Sequence, residues 1–79
     1  MKARVTVTLK GGVLDPQGKA IEGALSSLGF AGVSNVRQGK VFDFEIAEKD
    51  PATAANMLQD MCEKLLANTV IEDYRIEMV

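Results

Sequence analysis

The stretch GGVLDPQGK, residues 11–19, combines the residue types of a phosphate-binding loop. In P-loop enzymes, glycines and a lysine at a strand-to-helix turn place backbone N–H groups and an ammonium group against the phosphates. Here five residues separate Gly12 from Gly18, one more than the P-loop pattern allows, and Ala20 replaces the hydroxyl that binds the metal. The spacing therefore argues against a nucleotide site.

Asp15 and Pro16 exclude phosphate for a second reason. A carboxylate at a helix N-terminus occupies the place where an anion would bind, and proline removes one of the N–H donors. The same two residues are typical of a helix start, where aspartate accepts from the first N–H groups and proline fits the first helical position. We interpret the pair as the beginning of a helix.

Val13 and Leu14 are apolar residues in a loop flanked by glycines, and the helix start does not explain them. They are equally consistent with a hydrophobic staple tucked under the sheet and with an anchor for a partner subunit. Gly11 and Gly12 indicate either an unusual backbone φ or the close approach of another chain.

Other chemistry is sparse. Asp43 and Glu45 share a face of a predicted strand, but the sequence has no histidine to work with them, and a solvated or interface strand is the favoured interpretation. Cys62 is the single cysteine and lies near an apolar helix stripe, which favours a buried structural thiol. With no histidine and no second thiolate, no catalytic residues and no metal ligands are predicted.

Composition limits the function further. The 79 residues suffice for one small domain, residues 1–79, whose core alone gives marginal stability, so self-association or a larger complex is expected. A net charge of −2, no tryptophan and one tyrosine argue against nucleic acid. No apolar run approaches the roughly 20 residues of a membrane helix, and the N-terminus alternates rather than resembling a signal peptide. We expect a soluble, cytoplasmic protein that binds no membrane.

Hydrophobic periodicity predicts the element order β-α-β-β-α-β, with Asp-Pro opening both helices. The expected strands are residues 3–10, 33–38, 40–47 and 70–79, and the expected helices run from Asp15 to Gly29 and from Asp50 to Asn68. Right-handed crossovers would place both helices on one face of a four-stranded antiparallel sheet, the ferredoxin-like α+β arrangement. The apolar helix stripes predicted to face this sheet are Ile21, Ala24, Leu25 and Leu28, and Ala54, Leu58, Met61 and Leu65.

These residues support a module that works by association, in one of two ways. The first is an assembly subunit of an enzyme complex. The second is a small-molecule sensor of the ACT type, which has the same element order and binds its ligand near a glycine-containing loop after the first strand. An RNA-binding version of the fold comes third because of the charge and the lack of aromatic residues.

The string LKGGVLDPQG, residues 9–18, resembles the PurS family, the small subunit of phosphoribosylformylglycinamidine synthase. Similar segments follow at Val36-Arg37, at Gly39-Lys40 and at VIEDY, residues 70–74, so the resemblance covers essentially the whole chain. Family members often have proline where this chain has Gly11 and Thr69, and neither difference removes a functional group.

The resemblance implies a subunit without a catalytic site of its own. It implies partners, a glutaminase subunit that frees ammonia and an ATP-dependent synthetase subunit that uses it in purine synthesis, and a homodimer or larger homo-oligomer. No cofactor is expected in this chain; ATP and Mg are expected on the synthetase subunit. The residues expected to contact partner subunits are Lys10, Gly11, Gly12, Val13, Leu14, Asp15, Gln17, Arg37 and Lys40.

Overall fold

The computed structural model describes residues 1–78, so the predicted end of the last strand, Val79, lies outside the described residues. The elements are β1 (Lys2–Leu9), α1 (Pro16–Ser27), β2 (Gly39–Glu45), α2 (Pro51–Met61) with a following π-helical turn (Cys62–Leu66), and β3 (Glu72–Met78). Asp15 and Asp50 cap the two helices through their side chains, each followed by proline, as predicted.

The sheet has β1 at its centre, with the order β2-β1-β3 and both pairings antiparallel. Val5 lies opposite Phe42 on one side and Ile76 on the other, so these three side chains share one face. The other face is polar and carries an ion pair between Arg4 and Asp43 at 2.8 Å. This is an α+β fold with one apolar and one polar sheet face, as predicted.

The core lies between α2 and the apolar face of the sheet. Ala54, Leu58 and Cys62 are fully buried, and Leu58 and Cys62 pack in one cluster with Val5 and Val7 of β1. The predicted structural role of Cys62 is confirmed. Burial raises the pKa of its thiol, which keeps the sulfur neutral and unreactive.

The predicted fourth strand is wrong, and with it the hairpin between residues 33–38 and 40–47. Residues 33–38 form no strand, and β2 begins only at Gly39, opposite Thr8. The physical reason is the backbone conformation, because Gly32, directly before this segment, and Asn35, within it, have φ of 84° and 57°. Left-handed residues interrupt an extended chain, so this segment cannot pair along β2 as a regular strand.

The first helix was predicted to cover the sheet, and this is also wrong. Within residues 1–78, α1 has no extended packing contact with any strand, and Leu28 is 73% exposed. The molecule is 49 Å long, whereas β1 spans only about 27 Å. The remaining length matches the roughly 18 Å of a twelve-residue helix, so α1 and the returning residues 28–38 project from the sheet as an arm.

Helix α1 ends in a regular C-terminal capping motif at Gly29, as predicted. This residue has φ of 94°, its N–H donates to Ser26 and the N–H of Phe30 donates to Leu25, the two bonds of a Schellman motif. The motif reverses the chain and fixes the position of Phe30 beside the last turn of α1.

The predicted apolar stripe of α2 is wrong at its last position, Leu65, which does not face the sheet. Leu65 is 83% exposed, because the N–H of Ala67 donates to the carbonyl of Cys62 and closes a π turn. The wider turn rotates the following residues away from the α-helical spacing, so Leu66 and Ala67 face inward instead.

Candidate functional site

The loop between β1 and α1 presents an apolar tip at one end of the sheet. A turn closes it, in which the N–H of Val13 donates to the carbonyl of Lys10 at 2.9 Å. Val13 is half-buried, whereas Leu14 is 69% exposed. Leu14 therefore does not act as a staple within its own chain, and the partner-anchor interpretation is the one its exposure supports.

The glycines of the loop have no packing role in this chain. Neither Gly11 nor Gly12 has a positive φ, and a Cβ on either would meet no atom within 4 Å. The prediction of an unusual backbone φ is therefore wrong. The other interpretation of Gly11 and Gly12, that another chain approaches the backbone closely at these residues, stays a prediction.

Asp15 joins the two ends of the arm. Its buried carboxylate accepts from the N–H of Gly18 at 2.9 Å, one turn into α1, and from the N–H of Gln38 at 2.7 Å, just before β2. These backbone hydrogen bonds, that from Gln38 first, hold its pKa below the ordinary value. Both oxygens are thus occupied by the chain itself, which also rules out a phosphate on these N–H groups.

Arg37 makes the second connection. Its guanidinium donates to the carbonyl oxygen of Lys10 at 2.9 Å, which ties the returning segment to the end of β1. The charge of Arg37 also contributes to the lowered pKa of Asp15. The side chain is exposed, so it retains donors for a partner besides the carbonyl it already contacts.

The remaining residues predicted to contact partners lie around the hydrogen bonds of Asp15 and Arg37. The ammonium of Lys10 lies 2.7 Å from the Asp73 carboxylate, and Gln17 is exposed on the first turn of α1. Lys40 lies at the start of β2 with its nitrogen 5.8 Å from the centre of the Phe42 ring. Gln17 and Lys40 line one shallow depression together with Asp15, so the structure brings the predicted residues to one end of the sheet.

The chemistry of this end is that of a contact surface. In the described part of the chain, no group of three potential metal ligands is close enough to hold an ion. Asp43 is engaged by Arg4, which lowers its pKa through a hydrogen bond between the two side chains. Across residues 1–78, none of the helices is long and apolar enough to cross a membrane.

Sequence reasoning missed the apolar surface of the arm. Its large exposed side chains are Ile21, Leu28, Phe30 and Val33. The apolar stripe on α1 is visible in the sequence, but periodicity shows only that one helix face is apolar. The sequence analysis assigned that face to the core of this chain, whereas the structure leaves it exposed.

Asp15→Asn is expected to lower the melting temperature by several degrees at pH 7, because the amide cannot accept from both backbone N–H groups. The folded-state pKa of Asp15 lies below its ordinary 3.8. Its stabilisation is therefore complete above the unfolded pKa and is lost as the pH falls through the lowered value. Thermal unfolding between pH 7 and pH 2 should show the difference between the two proteins shrink below about pH 4.

The control for this measurement is Asp60→Asn, which changes an exposed carboxylate on α2. It should leave the melting temperature nearly unchanged at pH 7. A difference between Asp15→Asn and the unsubstituted chain that persists undiminished at pH 2 would contradict the role assigned to the carboxylate.

Comparison with known proteins gives a consistent result over the whole chain. The family model for PurS, described as phosphoribosylformylglycinamidine (FGAM) synthase, matches residues 2–79. The phosphoribosylformylglycinamidine synthase subunit PurS of Bacillus subtilis is 51% identical over 77 residues, which cover 98% of this chain and 90% of that protein.

Solved structures agree with the sequence comparison. PurS of Methanocaldococcus jannaschii, described as one of the subunits of formylglycinamide ribonucleotide amidotransferase in the purine biosynthetic pathway, is 45% identical with a TM-score of 0.85, covering 96% of this chain and 92% of that one. A chain in the structure of PurLQS from Thermotoga maritima is 29% identical with a TM-score of 0.90, covering 99% and 95%. Full-length sequence similarity and a shared fold together show that this chain belongs to the PurS family.

Proposed function

We propose that this chain is the small, non-catalytic subunit of phosphoribosylformylglycinamidine synthase in purine biosynthesis. The observation that carries this function is similarity over the full chain to PurS subunits, at 51% identity to that of Bacillus subtilis. The end of the sheet described above fits the role, since it offers exposed side chains for contact and no nucleophile paired with a base.

The partners follow from the same comparison. PurS of Thermotoga maritima is found in a PurLQS structure, and the family resemblance implies a glutaminase subunit and a synthetase subunit. This chain joins the two as a homodimer, in the cytoplasm, and ATP and Mg belong to the synthetase. Holding both active sites in one assembly raises the effective concentration of ammonia at the second site and limits its loss.

The contacts with the larger subunits are assigned to the loop of residues 10–14 with Gln17, Arg37 and Lys40. Leu14 is its apolar anchor, and the exposed polar groups around it form the rim, as at other interfaces where one buried side chain contributes most of the affinity. The Asp15 and Arg37 hydrogen bonds hold the tip in place before binding, which lowers the entropic cost of assembly.

Leu14→Asp is expected to leave the isolated chain folded but to weaken its association with the larger subunits by at least about 30-fold. Burying an unpaired carboxylate at the interface costs binding free energy. The stability of the free chain should change little, because Leu14 is 69% exposed there. The measurement is co-elution of the three purified subunits on a sizing column, together with glutamine-dependent synthesis of formylglycinamidine ribonucleotide.

Leu65→Asp is the matched control, because Leu65 is even more exposed and lies on the π-helical turn rather than at the loop. It should co-elute normally. Normal glutamine-dependent activity of the complex with Leu14→Asp would contradict the proposal that the loop contacts the larger subunits. Saturable stabilisation of the isolated chain by an amino acid, without co-elution of any subunit, would favour the ACT-type sensor instead.

A further inference from the structure

The turn of residues 68–72 connects the π-helical turn to β3, and hydrogen bonds fix its shape. The carbonyl of Asn68 accepts from the N–H groups of Ile71 and Glu72, at 3.0 and 2.7 Å. The side-chain oxygen of Asn68 accepts from the N–H of Val70 at 3.2 Å. In return, the Glu72 carboxylate accepts from the N–H of Asn68 at 2.7 Å. The side chains at both ends of the turn therefore hold its backbone in a defined conformation.

This ordered turn presents apolar side chains to solvent. Val70 at its tip is 81% exposed, and Ile71 is 39% exposed. Turns usually carry glycine, proline or small polar residues, which shape the backbone without an apolar side chain in water. Here hydrogen bonds order the turn, so its exposed apolar side chains are not needed for that purpose. A preorganised apolar tip has the form of an anchor at a protein interface.

The turn lies beside the loop that carries Leu14. The N–H of Lys10 donates to the carbonyl of Ile71 at 2.9 Å, and the carbonyl of Lys10 accepts from the N–H of Val13, directly before Leu14. Both peptide groups of Lys10 are thus engaged, one with each segment. The apolar tips of Leu14 and Val70 are therefore held at the same end of the sheet.

The surface between the two segments is continuous. Glu72 lines the shallow depression that also contains Gln17 and Lys40. It also lines a second depression, together with Lys10 and Thr69. The residues predicted to contact partners are therefore continuous with the turn of residues 68–72, and a subunit bound on one side of Glu72 extends naturally to the other.

The second depression is acidic. It is lined by the carboxylates of Glu63, Glu72 and Asp73 and by the single ammonium of Lys10. Each carboxylate has a fixed position because it already accepts a hydrogen bond within the chain. The excess of negative charge next to the apolar tip favours a partner surface that carries lysine or arginine.

We propose that the turn of residues 68–72 is a second contact for the larger subunit that binds Leu14. Val70 and Ile71 pack against apolar side chains of that subunit, and a lysine or arginine of the same subunit lies against the acidic depression. The proposal rests on the proposed function, because it adds residues to the contact with a larger subunit of the synthase.

The first test is Val70→Asp in the full-length chain, titrated into a mixture of the two larger subunits. We expect a dissociation constant at least 10-fold higher than that of the unsubstituted chain, with an unchanged melting temperature of the isolated chain. Leu65→Asp is the matched control, since Leu65 is 83% exposed, and it should bind normally. Normal binding of Val70→Asp would overturn the proposal. Loss of self-association in sedimentation would also overturn it, because a second copy would then cover the turn.

Photocrosslinking tests whether one subunit covers both segments. A benzoylphenylalanine placed at position 14 or at position 70 should crosslink to the same larger subunit in the assembled complex. Crosslinks from the two positions to different subunits, or none from position 70, would contradict the proposal.

Glu72→Gln tests the charge, because its amide oxygen can still accept from the N–H of Asn68. It should slow association with the larger subunits and weaken the dependence of that rate on salt. The control is Glu48→Gln, which changes another half-buried carboxylate that accepts from backbone N–H groups, beyond the far end of β2. Equal effects of the two variants would contradict the assigned charge pairing.

The outcomes separate this proposal from the proposed function. If Val70→Asp binds normally while the unsubstituted subunits co-elute, the proposed function stands and only the contact at the turn is lost. If the unsubstituted subunits do not co-elute, the proposed function fails and the contact at the turn fails with it.

Discussion

Replacing Leu58 with alanine is expected to lower the free energy of unfolding by about 3 kcal/mol, the usual cost of a cavity left by a buried leucine. Leu58 of α2 is fully buried and packs in the core cluster with Val5 and Val7 at the centre of the sheet. A domain of this size has a small stability reserve, so this loss is a large share of the total. Urea unfolding followed by circular dichroism measures it.

The matched variant is Leu65→Ala, two stripe positions further along the same apolar pattern. From the sequence the two leucines are equivalent, but the π turn places Leu65 outward with 83% of its surface exposed. Its replacement should change the free energy of unfolding by less than about 0.5 kcal/mol. Similar losses for both variants would mean that the helix continues with α spacing and that the π turn is not formed.

Gly18→Ala is expected to lower the free energy of unfolding by about 3 kcal/mol. A Cβ at this position would collide with the carbonyl oxygen of Val36 and lie 2.9 Å from an oxygen of the Asp15 carboxylate. The Asp15 carboxylate is held at the base of the arm by hydrogen bonds from Gly18 and Gln38. Val36 directly precedes Arg37, whose side chain is hydrogen-bonded to Lys10, so a shift of its carbonyl would disturb that contact. Thermal and urea unfolding both report the change.

Gly23→Ala on the same helix is the control. A Cβ there meets nothing within 4 Å, and the position lies on the side of α1 opposite the apolar stripe. Alanine in place of a helical glycine should stabilise the chain by about 0.5–1 kcal/mol. Opposite signs for Gly18→Ala and Gly23→Ala would establish that the base of the arm is tightly packed; equal signs would contradict it.

The base of the arm connects stability to assembly. Asp15 and Arg37 connect the loop, the start of α1 and the segment before β2 by hydrogen bonds, so they stabilise the chain and also orient the residues of the proposed partner contact. Substitutions at Asp15 should therefore affect assembly through orientation, whereas Leu14→Asp should affect it through the contact itself. Comparing the melting temperature with co-elution separates the two effects.

Several elements were determined by the sequence alone, because their signals are local. Asp15-Pro16 and Asp50-Pro51 begin helices through hydrogen bonds that span three residues, and Gly29 ends one because it accepts a positive φ without a Cβ clash. The alternation in β1 specifies which side is buried, since neighbouring side chains in a strand point to opposite faces. The string of residues 9–18 likewise pointed to the right family.

Only the tertiary structure decided where the apolar stripes are covered. The apolar stripe of α1 predicts that one helix face is buried. Because the hydrophobic effect is non-directional, the stripe does not determine whether this chain or another one provides the apolar surface that buries it. The fourth strand failed for a related reason: residues 33–38 read as a strand, yet the positive φ at Gly32 and Asn35 and the bonds of Asp15 hold them in the arm. Contacts between residues distant in sequence decided this, and no local pattern records them.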